Sequence, residues 1–492
     1  MEQYLISVDL GGSKVTAALG MLSMEGETVV VDAVTRPMEG FTRGEVTNIE
    51  LVTTAIGEAV SQLEVRNEVK ASEVWISISG KHVVKATNSG FVYVGGADGE
   101  VTTRDVDKLH DNMANVQAPD GKVIIARIPQ SYKVDSNETI GSPVGRFGTR
   151  LETSFGFVLA GEKALERITK AFKRCGIENI HYTSGAIASA TVAATDEEKE
   201  SGVIVIDLGA ASTDLCIIQN KVVRHVASIP IGSADINKDI LSIGVPLKTA
   251  EVLKVNHGYA SHSSIPEEKR SKGVSISRTP GKKKGDVVSY HDLVTIIESR
   301  MTDIIEYVIA EIQASGYHNR LASGIVLTGG ASRLVGVESL FSELTGYDVR
   351  LGCAENGVEE PSIEKWGAPE NTTAIGMLQL GMIEAGIAPS AQTRSVMEEV
   401  IIQPERPATP TTPAATTPVT PATPATPATP ATPDTNKSNE GSNQETNGNL
   451  TDVDGNNPEK PRKRIFGGMK NFRSKVFDFF FGNEVVDDQN ME

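Results

Sequence analysis

Residues 4–20, YLISVDLGGSKVTAALG, join two apolar runs through a turn that holds an Asp, two glycines, a Ser and a Lys. Apolar, β-branched runs on both sides of a Gly turn predict a hairpin rather than a strand followed by a helix. The pattern returns at 203–218 in VIVIDLGAASTDLCII. Two copies of strand, Asp, small-residue turn and strand, about 200 residues apart, predict a duplicated domain rather than a short-period repeat.

The turns carry the chemistry. In Asp9-Leu10-Gly11-Gly12-Ser13-Lys14 the glycines let backbone N–H groups come close to an anion, Ser13 donates a hydrogen bond and Lys14 supplies charge. An Asp repels phosphate but suits a magnesium ion held through water, so Asp9 and Asp207 are the candidate metal positions. The second turn, Asp207-Leu208-Gly209-Ala210-Ala211-Ser212, repeats the Asp and the hydroxyl. Facing each other, the two turns would hold a triphosphate and its metal. Either turn alone also fits an ordinary hairpin.

Two later stretches fit the rest of a nucleotide. In Ala250-Glu251-Val252-Leu253-Lys254, a helix puts Glu251 and Lys254 on one face, where they would meet a ribose or adenine or simply pair with each other. VLTGGASRLVG, at 326–336, sets Gly329, Gly330, Ala331 and Ser332 between an apolar strand and a helix, so that backbone would lie flat against a base.

Helical periodicity is expected over 50–66, 163–176 and 292–316, and a strand-rich, Gly- and Pro-punctuated module over 84–161. The fold class is therefore α/β in two halves with insertions. A net charge of −17 argues against nucleic acid as a partner, which is bound chiefly through clustered Lys and Arg. Cys175, Cys216 and Cys353 are too scattered for a zinc site and read as free thiols of a reducing compartment. The start MEQYLISVDLGG lacks a signal-peptide pattern and no apolar run approaches a membrane span, so the expected location is the cytoplasm.

From 396 to 459 the chain is Thr/Pro-rich and then polar, a composition expected to stay disordered, with a reach of about 45 Å or more. The segment 460–482 reverses that character. On a helix, Ile465, Met469, Phe472, Val476 and Phe479 share one stripe, which Phe466, Phe480 and Phe481 widen, while Lys470, Arg473 and Lys475 flank it. Such a basic, Phe-rich amphipathic helix suits the interface of an anionic membrane. A helix docked on a partner groove is the alternative.

Two phosphate hairpins followed by an adenosine motif, in this order, resemble the actin/Hsp70/sugar-kinase superfamily. Within it the chain is most similar to the FtsA family of bacterial cell-division proteins, through GFTRGEVTNIE (40–50), GSPVGRFGTRLET (141–153), IPIGSADINKDI (229–240), AEVLKVNHGYA (250–260), IIESRMTDII (296–305) and TTAIGML (372–378). The resemblance implies an actin-like (ribonuclease H-like) duplicated fold around a nucleotide cleft, ATP and Mg2+ as cofactors, and Gly232 as a further nucleotide contact. It implies subdomain 1A at 1–83, 162–195 and 359–395, an inserted 1C module at 84–161, subdomain 2A at 196–225 and 320–358, and subdomain 2B at 226–319. The linker at 396–459, the anchor helix at 460–482 and an acidic tail at 483–492 complete the chain.

As implied partners, the resemblance gives the C-terminal peptide of the tubulin-like protein FtsZ, contacting Arg300 in 2B, and further copies of the chain in a filament. It adds the cytoplasmic face of the inner membrane at midcell and later division proteins bound through 1C. The family commonly has glycines where Ala210 and Ala211 stand, and each methyl limits approach to phosphate, so the expectation is ATP binding with at most slow hydrolysis. No residue identifies itself as a general base; Asp207 is the candidate for positioning metal and water. Two other readings share the superfamily: a small-molecule kinase and an actin-like pilus-assembly scaffold.

Overall fold

The computed structural model describes residues 4–386 except 97, 140 and 277–285. The linker, the amphipathic segment with Ile465, Phe466, Met469, Lys470, Phe472, Arg473, Val476, Phe479 and Phe480, and the acidic tail lie outside the described residues. Among the described residues, no helix is long and apolar enough to cross a membrane.

The first hairpin forms between Tyr4–Leu10 and Lys14–Leu22, with Leu10 opposite Val15 and Asp9 opposite Thr16. Thr28–Pro37 continues it antiparallel; Glu73–Ile78 then lies parallel to the first strand, and Asn179–Ser184 parallel to that. The second hairpin, Val203–Leu208 with Thr213–Gln219, is extended in the same way by Val222–Ile229, Ile325–Thr328 and Val349–Leu351. Identical order and direction in both five-stranded sheets is the duplication anticipated from the paired turns. The strand Val222–Ile229 runs across the expected 225/226 boundary and belongs wholly to the second sheet.

Two helices fill the space between the sheets. Thr372–Glu384 packs on the first sheet and Gly185–Ala193 on the second. They touch through small residues: a Cβ on Gly376 would come within 1.8 Å of the Ala188 carbonyl oxygen. Both are buried nearly all round, which explains why neither shows a polar stripe. On the outer face of the first sheet lie Ile49–Asn67 and Glu162–Arg174, two of the helices expected from periodicity.

The C-terminal end of Thr372–Glu384 is clamped. Trp75 Nε1 donates to Glu384 Oε2 at 2.8 Å, and the His181 ring stacks on Trp75 at 4.3 Å between Glu384 and Glu73. Burial disfavours a charged imidazole, yet hydrogen bonds donated to the Glu384 and Glu73 carboxylates hold His181 above its usual range.

Between Glu73–Ile78 and Glu162–Arg174 a separate module is inserted. Its antiparallel sheet runs Val84–Tyr93, Arg150–Gly161, Lys122–Val134, Asn137–Thr139, and the helix Thr103–Ala114 covers one face over a core of Leu109, Met113, Leu151 and Phe155. The long helix Tyr290–Ala314 and the helices Ser233–Ile240 and Leu247–His257 form the insertion of the second half.

Candidate functional site

The two hairpin turns point at each other from the two sheets and touch. A Cβ on Gly12 would fall 2.2 Å from the Ala211 methyl carbon, so the first turn must be glycine there while the second carries alanine. Gly11 donates its N–H to the Lys14 carbonyl at 3.0 Å, closing the first turn. Lys14 Nζ reaches across the molecule to the Glu370 carbonyl oxygen at 3.0 Å.

Three carboxylates converge behind these turns. Asp9 accepts from Ser77 Oγ at 2.6 Å; loss of solvent raises its pKa, offset in part by that hydroxyl and by Lys14. Asp207 accepts from Thr373 Oγ1 at 2.7 Å and stands directly opposite Asp214 in the second hairpin. Burial first, then the like charge of Asp214, pushes Asp207 up to about 7. Asp214 is pushed to about 6 by burial, against hydrogen bonds from Ser228, Ser79 and Ser212. Three carboxyl groups with raised pKa values at the meeting point of two turns concentrate more negative charge than Lys14 offsets.

The wall beyond Asp207 is backbone. Gly329 has φ +83°, and a Cβ there would lie 2.1 Å from Asp207 Oδ1. Gly330, Ala331 and Ser332 follow as a short 3-10 turn, with Ser332 Oγ donating to the Gly329 carbonyl at 2.7 Å. Glu370 borders Gly330, and its buried Oε2 has no hydrogen-bond partner.

Gly232 is the N-cap of Ser233–Ile240 and packs under the second turn. The Ser233 and Ala234 N–H groups donate to the Gly209 and Ala210 carbonyls at 3.0 and 2.8 Å, and a Cβ on Gly232 would meet the Ala210 carbonyl oxygen at 2.5 Å. Here Gly232 buttresses the turn. Ser212 Oγ donates to Asp214 Oδ2 at 3.1 Å. Glu251 and Lys254 share a face of Leu247–His257 and pair at 2.8 Å; Lys254 Nζ also reaches the Ser233 carbonyl at 3.2 Å. Asn237 donates to the same Glu251 carboxylate, while its own buried Oδ1 has no partner.

Asp214, Ser77, Ser228 and Thr373 are site residues that sequence reasoning did not single out. Asp214 was findable as the second Asp of the repeated turn. The three hydroxyls come from distant strands and a helix, and nothing local marks them. Among the described residues, no group of three or more His, Cys, Asp or Glu side chains is placed to ligate a metal directly. A groove of about 610 Å³ beside Leu165, Lys170 and Tyr182, on the outer face of the first sheet, contains none of these carboxylates.

Arg300 lies elsewhere, on Tyr290–Ala314. Its guanidinium grips Asp239 through Nε at 2.6 Å and Nη2 at 3.1 Å, and Asp303 through Nη1 at 3.0 Å. Glu298, on the same helix, pairs with His262.

Comparison with known proteins agrees with this architecture. A family model described as "Cell division protein FtsA" matches residues 204–376, and one described as "SHS2 domain inserted in FTSA" matches 80–159. The chain is 30% identical over 403 residues to the cell division protein FtsA of Neisseria meningitidis serogroup B, covering 81% of this chain and 94% of that one. It is 28% identical over 390 residues to the Escherichia coli K12 protein of the same name, covering 77% and 90%. Among solved structures, the PilM-PilN type IV pilus biogenesis complex aligns with TM-score 0.52 at 16% identity, over 78% of this chain and 99% of that one. That likeness shows the shared fold, and the fold is actin-like.

Proposed function

Because this chain belongs to the FtsA family of cell-division proteins, we propose that it binds ATP with Mg2+ in the cleft between its two hairpins and polymerises on the inner membrane. There it anchors FtsZ filaments through the segment 460–482 and recruits later division proteins through the inserted module. The observation that carries the nucleotide part is the meeting of Asp9, Asp207 and Asp214 at two facing turns. A cation and its water shell would relieve their mutual repulsion, and phosphate oxygens would complete its coordination.

The surrounding residues suit a nucleotide. Backbone N–H groups of Gly11, Gly12, Ser13 and Lys14, and of Gly209 to Ser212, are the phosphate contacts of this reading. The unpartnered acceptors Glu370 Oε2 and Asn237 Oδ1 match the hydroxyl and amine donors of a nucleoside. Glu251 and Lys254 take the ribose and base, and Gly329 to Ser332 the flat face of the base. When bound, the metal supplies charge neutralisation for the phosphates. Asp207 positions its water, and with Ala211 pressed on Gly12 and no dedicated base, turnover is slow.

In the partner part, Arg300 offers the acidic FtsZ peptide a guanidinium already oriented by Asp239; the peptide's carboxylates exchange with Asp303 on its open side. Family membership favours this reading over a small-molecule kinase or a pilus scaffold.

Liposome co-sedimentation of FtsZ tests it, using the full-length chain, a form ending at Asn457 and the Arg300→Glu variant. Full-length protein is expected to carry FtsZ down, truncation to abolish lipid binding altogether, and Arg300→Glu to lose FtsZ alone. Lipid binding by the truncated form, or FtsZ left in the supernatant with full-length protein, overturns the tether.

A further inference from the structure

Ser228 stands between the cleft and the start of the inserted module. It lies in Val222–Ile229, donates its hydroxyl proton to Asp214 Oδ1, and accepts the Gly80 N–H at 2.6 Å. Gly80 is the first residue matched by the inserted-domain family model. It has φ +111°, and a Cβ there would fall 2.2 Å from the Arg43 carbonyl oxygen. The peptide that opens the module is thus held by Arg43 on one side and Ser228 on the other.

Two residues on, His82 joins the module's start to its end. Its Nε2 lies 2.9 Å from the Gly44 carbonyl, and its Nδ1 accepts the Gly161 N–H at a long 3.5 Å. Those roles place the ring proton on Nε2. The far end of Val222–Ile229 holds the module as well: Gln130 Nε2 donates to the Val223 carbonyl at 2.9 Å and Lys85 Nζ to the Arg224 carbonyl at 2.5 Å. One strand of the second half therefore grips a module inserted in the first half at both its ends.

We propose that Ser228 is a positioning residue that couples the Asp214 carboxylate to the inserted module, so that filling the cleft resets the module through Asp214, Ser228 and Gly80. This rests on the nucleotide reading above. A serine hydroxyl has one proton to give, and here it goes to Asp214 while the oxygen accepts from Gly80, so each bond polarises the other. When the carboxylate turns toward the water shell of a cation, Ser228 follows it or releases it. In either case the Gly80 peptide loses its present partner geometry.

The test is hydrogen–deuterium exchange on the full-length chain, with and without Mg-ATP, alongside titration of a fluorescent ATP analogue. In the wild type, Mg-ATP is expected to change exchange over 79–84 by about 3-fold or more. In Ser228→Ala, compared with wild type at nucleotide concentrations that the titration shows to saturate each protein, the change over 79–84 should disappear, and Ser228→Thr should restore it. A change that persists in Ser228→Ala, or nucleotide binding in the wild type with 79–84 unmoved, overturns the coupling. Should the wild type bind no nucleotide, the cleft reading falls by itself and the relay is judged without ligand. Exchange over 79–84 should then rise in Ser228→Ala, in Asp214→Asn and in the double variant to the same extent, whereas additive increases overturn it.

Discussion

Asp207 keeps a carboxyl group pushed up to about 7, by burial and by Asp214 opposite it, at a turn that Thr373 and Gly329 enclose. An acid whose pKa is raised by folding binds more protons folded than unfolded, so its contribution to stability falls as pH rises from about 4 through about 7. Asp207→Asn has no such loss. Without nucleotide, the variant should gain about 1–3 kcal/mol over wild type between about pH 5.5 and about pH 7.5, while losing Mg-dependent nucleotide binding. Chemical denaturation at the two pH values checks this, and a difference that does not grow with pH sinks it. Gly329→Ala faces both a left-handed backbone and the Asp207 carboxylate; a loss of about 1–3 kcal/mol or more is expected in the same measurement. At this scale the sequence shows residues whose type is itself a constraint, such as Gly12 and Gly329. It hides Ser77, Ser228 and Thr373, since a hydroxyl gains a role only from a carboxylate that folding brings to it.

Elements were legible where the pattern is local. The hairpin at 4–20 announces itself through its turn and Ile49–Asn67 through its spacing; in the structure Asn48 caps that helix, its side chain accepting from the Glu50 and Leu51 N–H groups. Asn48→Ala should therefore cost about 1 kcal/mol, read from the thermal midpoint, with nucleotide binding unchanged. Thr372–Glu384, which begins with TTAIGML, carries no helical signature in the sequence, because a helix buried all round shows no periodicity. The strands of the inserted module were visible as a strand-rich stretch, but their order was not: Val84–Tyr93 pairs with Arg150–Gly161 across most of the module. The helix bearing Arg300 was likewise expected, whereas its tie to Asp239, 61 residues away, depends on how two helices pack.

For the whole molecule, the duplicated sheets were readable from two short turns, because both obey one arrangement of three antiparallel strands and two parallel ones. The whole chain's net charge of −17 opposes approach to anionic lipid, so membrane attachment in the proposed reading rests on the cations near 460–475. Sedimentation with anionic liposomes should weaken as salt rises from about 0.05 to about 0.5 M, and salt-independent binding would point to a purely apolar anchor. The clamp of Trp75 and His181 on Glu384 bears on what that attachment transmits. Chain beyond residue 386 leaves from the end of Thr372–Glu384 that the clamp secures, and Thr373, which touches Asp207, lies at the opposite end. In the proposed reading, tension on the tether would therefore be taken up as shear against the edge of the first sheet, and the cleft proposed for nucleotide would be spared the pull.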